Sequence, residues 1–68
     1  MLRIEDLGKM VNGEWVVQYS NGYSVKIEPT EHEDKFRAFI FNDVNIDVYY
    51  PSIEKEKLEM VLYSVGGL

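Results

Sequence analysis

His32 is the only histidine in the chain and stands among carboxylates, in the run Glu31-His32-Glu33-Asp34. An imidazole beside carboxylates is a donor set for a divalent metal, or a general base. A metal site draws ligands from several elements, and there is neither a second histidine nor any cysteine to complete a zinc sphere. The run reads better as a solvated acidic loop, and the sequence predicts no metal and no cofactor. Nucleophilic catalysis would need Ser20, Ser24, Ser52 or Thr30 held against His32 with a carboxylate behind the ring. The spacing suggests no such triad, because Ser20 reads as a turn residue and Ser52 as a helix cap. A chain of 68 residues also leaves little room for a substrate pocket of about 300 Å³ or more. A protein without enzymatic activity is the expectation.

A second set is Lys35-Phe36-Arg37-Ala38-Phe39-Ile40-Phe41, where bases alternate with rings. In the RNA-binding strand of an RRM such rings stack on single-stranded bases. That motif has glycine and then an aromatic after its first base, where this chain has Phe36 and Arg37, and no strand-helix-strand unit precedes it. Twelve acids against seven bases give a net charge of -5 and a pI near 4.6, so the mean field repels phosphate backbones and anionic lipids. Direct nucleic-acid and membrane binding are excluded as leading readings. The third set is the acids themselves: Glu28, Glu31, Glu33, Asp34, Asp43, Asp47, Glu54, Glu56 and Glu59. Such a stripe imitates phosphates and would block the basic groove of a DNA- or RNA-binding protein. Acids at this density also serve solubility alone, so mimicry is kept as an alternative.

The elements that must position these residues are legible from periodicity. Composition supports a folded core, with 46% hydrophobic and 13% aromatic residues, and no linker or repeat divides the chain, so residues 1-68 are expected to form a single domain. Absence of cysteine fits a reducing compartment. The opening residues carry Glu5 and Asp6 where a secretory signal needs a basic start, so a cytoplasmic protein is expected. Trp15, Val17 and Tyr19 alternate with polar positions, as do Tyr23, Val25 and Ile27, which predicts two strands. A three-residue loop of Ser20, Asn21 and Gly22, with Gly22 left-handed, pairs Tyr19 with Tyr23, Val17 with Val25 and Trp15 with Ile27 on one face. A second hairpin is expected around Asn42-Asp43. A two-residue turn there puts Phe39, Phe41, Val44, Ile46 and Val48 on the core face and Phe36, Ala38, Ile40 and Tyr49 on the other. Pro51 should end the ladder, and Ser52 should cap a helix whose stripe is Leu58, Val61, Leu62 and Val65. Residues 2-11 carry both a helical spacing, Ile4, Leu7 and Val11, and a turn signal in Asn12-Gly13; a short helix is favoured.

The expected fold is α+β: a four-stranded antiparallel sheet in two hairpins with a C-terminal helix on one face. The outward stripe Phe36, Ile40 and Tyr49, ringed by Lys35, Arg37 and Asp47, then needs cover. The residues expected to bind a partner are Phe36, Ile40, Tyr49, Arg37 and Asp47, whose types match interface composition. The expected function is a small acidic protein-binding domain, an inhibitor, regulator or adaptor such as phages and mobile elements encode. A structural homodimer is a further alternative.

Overall fold

The computed structural model describes residues 2–68. The chain runs through a 3-10 turn at Ile4–Leu7, strands β1 (Trp15–Gln18), β2 (Ser24–Pro29), β3 (Lys35–Phe41) and β4 (Ile46–Glu54), and helix α1 (Lys55–Gly66). The strands form one antiparallel sheet in the order β1-β2-β3-β4. With α1 on one face, this is the expected α+β architecture. No helix among the described residues is long and apolar enough to cross a membrane.

The first hairpin has the register that its alternation predicts, Trp15 against Ile27 and Val17 against Val25. Tyr19 N–H donates to the Tyr23 carbonyl at 2.9 Å, and Gly22, at φ 91°, donates to the Tyr19 carbonyl at 3.3 Å. That φ disfavours any β-branched side chain. The loop also grips the helix. Asn21 Nδ2 donates to the Val65 carbonyl and the Tyr19 hydroxyl to the Leu62 carbonyl, both at 2.8 Å, near the end where helix carbonyls run out of backbone donors. Burial pushes the pKa of Tyr19 up. A Cβ at Gly66 would stand 3.3 Å from the Tyr19 ring, so any side chain there would require the ring to shift by a few tenths of an ångström.

The second hairpin differs from expectation. Asn42 Oδ1 accepts from Val44 N–H at 2.9 Å and from Asn45 N–H at 3.1 Å, while Asn42 N–H donates to the Asn45 carbonyl at 3.1 Å. The tip is therefore Asp43-Val44, one residue later than Asn42-Asp43, because the Asn42 side chain folds the chain from the corner position. Two bulges follow. Phe41 pairs with Ile46 but Ile40 with Val48, leaving Asp47 extra; Ala38 pairs with Tyr50 but Phe36 with Ile53, so Pro51 and Ser52 together oppose Arg37. Each bulge reverses which face the next β4 side chains take. Pro51 is accommodated because β4 is an edge strand and Pro51 lies at a bulge. The strand consequently runs on to Glu54, and α1 starts at Lys55 rather than after Ser52, with Glu54 at its N-cap.

The two sides of β3 are also exchanged relative to expectation, because Lys35 and Arg37 share the parity of Phe39 and Phe41 and take the solvated side. Ala38 and Ile40, 0% and 6% exposed, join Val25, Ile27 and Ile53 beneath Leu58, Leu62 and Val65. Phe36 packs against this core with its ring 5.9 Å from that of Trp15. Phe39 and Phe41 are half-buried on the opposite face, and Val44, Ile46 and Val48, expected in the core, are exposed. The helical stripe is as expected: Leu58, Leu62 and Val65 are buried and Val61 packs beside them.

Both signals in the N-terminal segment are used. Of the expected short helix only a 3-10 turn at Ile4–Leu7 is realised, with Val11 outside it and exposed, and Asn12-Gly13 closes a tight turn between Val11 and Glu14. The segment lies on the helix side, with Ile4 buried and its N–H donating to Glu59 Oε2 at 2.8 Å. Lys55 Nζ is 3.2 Å from Glu5 Oε2, and Trp15 Nε1 donates to the Gly8 carbonyl at 3.1 Å. Helix and N-terminal segment thus share one side of the sheet.

Candidate protein-binding surface

Strict alternation along β3 sends Lys35, Arg37, Phe39 and Phe41 to the side away from α1. Antiparallel pairing adds Lys26 and Glu28 from β2, Val16 and Gln18 from β1, and Ile46, Tyr49 and Glu54 from β4. The Phe39 and Tyr49 rings stack across β3 and β4, centroids 4.8 Å apart and planes inclined at 26°. Lys26 Nζ stands 4.8 Å from the Phe39 centroid, a cation over an aromatic face. Toward the hairpin tip Phe41, Val44 and Ile46 continue this surface into a groove of about 370 Å³.

Its charges are largely settled among themselves. Glu28 accepts from Arg37 Nη1 at 3.1 Å and lies 3.7 Å from Lys26 Nζ, while Lys35 and Glu54 pair across the strands at 3.7 Å. Three cations and two carboxylates give the face a formal charge of +1, against four cations and ten carboxylates, or -6, for the rest of the chain. The aromatic surface is the near-neutral part of an acidic molecule.

The expected partner-binding residues do not form one patch. Phe36 and Ile40 lie on the helix side, Ile40 within the core and Phe36 packed against it, because Lys35 and Arg37 take the solvated side and force the intervening residues inward. Tyr49 is on the open face, 49% exposed, beside Phe39 rather than beside Phe36 and Ile40. Arg37 is on that face and held by Glu28; Asp47 projects from the bulge at the β4 edge. The open face carries Phe39, Phe41, Ile46 and Lys26, which the expected patch did not include. Their signal was available: Lys35 and Arg37 share the parity of Phe39 and Phe41, and a strand's charged set marks its wet side.

The acidic loop gathers no ligand sphere. The side chain of His32 is 66% exposed, with Nε2 3.9 Å from Glu31 Oε1, and the described residues contain no group of three or more side chains suited to hold a metal ion. Ser20, Ser24, Ser52 and Thr30 form no hydrogen bond to the His32 ring; the Thr30 hydroxyl instead accepts from the His32 backbone N–H and donates to the Lys35 carbonyl at the start of β3. Comparison with family models, curated proteins and solved structures finds no match.

Proposed function

We propose that this chain is a small, non-enzymatic, cofactor-free protein-binding domain, acting in the cytoplasm as an inhibitor, regulator or adaptor through the open face of its sheet. The observation that carries the reading is the Phe39–Tyr49 stack, with Phe41 and Ile46 beside it, on a face that neither α1 nor the N-terminal segment covers. Rigid rings on a flat scaffold lose little side-chain entropy on docking and desolvate a large area, as interface anchors do. Lys26 and Arg37, bound to Glu28, supply a polar rim that orients a partner without demanding an acidic or basic one.

The test compares capture by three immobilised forms of the chain: wild type, Phe39→Ser with Phe41→Ser, and Glu33→Lys with Asp34→Lys. A partner retained by the wild type and by the loop variant, but lost with the open-face variant, supports the reading. Its retention should persist in strong salt, since apolar docking is weakly screened. Loss with the loop variant and retention with the open-face variant would establish nucleic-acid mimicry instead.

A further inference from the structure

A second surface, distinct from the open face, is the free edge of the sheet. Strand β4 pairs with β3 on one side and, among the described residues, with no strand on the other, so alternate residues direct backbone N–H and C=O groups outward. From Val48 to Ile53 the strand carries no charge. The bulges at Asp47 and at Pro51-Ser52 bracket it, leaving Val48-Tyr49-Tyr50 as the flat run available for pairing.

Both flanks of this edge are apolar. On the open face stand Tyr49 and Ile46, 49% and 63% exposed; Val48 is 39% exposed. On the helix side a groove of about 480 Å³ between β4 and α1 is lined by Tyr50, Met60, Val61 and Leu68, with Lys57 at its rim. Met60 and Leu68 are 62% and 69% exposed.

We infer that the edge of β4 joins a second copy of this chain, antiparallel about a two-fold axis, into one continuous eight-stranded sheet. An antiparallel strand is its own complement under a two-fold axis, and such a contact closes at two copies. With the axis at Tyr49, Val48 of one copy meets Tyr50 of the other, and no like charges face each other along the seam. The two grooves then adjoin, so Met60 and Leu68 of each copy cover those of the other. Charge favours the same partner. Asp47 and Lys57 have no ion-pair partner among the described residues, and the join carries Asp47 of one copy toward the groove rim where Lys57 of the other stands. Two molecules of charge -5 otherwise repel, so an uncharged seam with a complementary pair at each end is where they can meet. The bulges keep the seam short and fix its register.

Sedimentation equilibrium up to about 1 mM chain, a range that reaches weak association, gives the test. The wild type is expected to approach twice 7.9 kDa. Val48→Glu, which sets a new acid beside Asp47 at the seam, is expected to remain monomeric with an unchanged far-ultraviolet spectrum. Asp47→Lys and Lys57→Glu should each weaken the dimer several-fold, and together restore it. A wild type that stays monomeric throughout overturns the inference. So does a dimer that survives Val48→Glu but dissociates in Phe39→Ser with Phe41→Ser, which would place the contact on the open face.

Discussion

On one side of β3 sit Ala38 and Ile40, almost wholly buried; on the other sit Phe39 and Phe41, much larger and only half covered. Size alone would reverse that assignment. What decides it is the company each set keeps: Lys35 and Arg37 share the parity of the phenylalanines, and burying either cation in the core would cost more than leaving two rings half wet. Ala38 in turn lets α1 lie close over the sheet, where Leu58 and Leu62 fill the space beneath. The helix side holds the buried core, and the open side keeps Phe39 and Phe41 half covered beside the exposed Ile46 and Tyr49.

Substitutions should separate the sides in order of effect. Leu62→Ala or Ile27→Ala should cost about 2–5 kcal/mol in urea unfolding, the range for emptying a packed core position. For a chain whose whole stability is roughly 3–10 kcal/mol, that leaves a fraction unfolded at equilibrium. Wild-type stability for either variant would break the comparison at its dry side. Gly22→Val should follow at about 1–3 kcal/mol, because it forces a β-branched residue to hold positive φ. A thermal melt unchanged by it would remove the three-residue loop from the account.

Smaller effects sharpen the contrast at its margins. Tyr19→Phe deletes the hydroxyl's bond to the Leu62 carbonyl and should cost about 0.5–1.5 kcal/mol. Burial raises the pKa of Tyr19 above its ordinary value, so its contribution is complete below the unfolded pKa near 10 and is lost as pH rises through the higher folded value. Alkaline titration of stability should accordingly show a shallower fall in Tyr19→Phe than in wild type. On the open face, Tyr49→Ser gives up its stack on Phe39 and should cost only about 0.5–1.5 kcal/mol, with the fold intact by circular dichroism.

The two hairpins also divide what sequence can convey. In the first, strict alternation selects the three-residue loop over a two-residue Asn21-Gly22 turn, which would set Val17 and Trp15 beside polar residues. The stripe Leu58, Leu62 and Val65 was legible for the same reason. In the second, β3 is apolar on both sides and β4 reads Val48-Tyr49-Tyr50, so neither alternation nor hydrophobicity fixes a face. The bulges at Asp47 and Pro51-Ser52 then reset the parity of β4 without a local residue signature. Ile53 was invisible as core for this reason: a proline two positions earlier reads as a stop unless the strand lies at an edge. Of the candidate surface, an aromatic sheet face with Tyr49 on it was legible, but Phe36 and Ile40 were expected where Phe39 and Phe41 stand.

The most direct measurement is a pair of urea unfolding curves, for Phe36→Ser with Ile40→Ser and for Phe39→Ser with Phe41→Ser. The first variant is expected to lose its cooperative transition, because both substitutions put hydroxyls among the apolar side chains under α1. The second is expected to unfold cooperatively at a modestly lower midpoint. A folded first variant and an unfolded second one would contradict this expectation, placing the core on the side assigned here to partner binding.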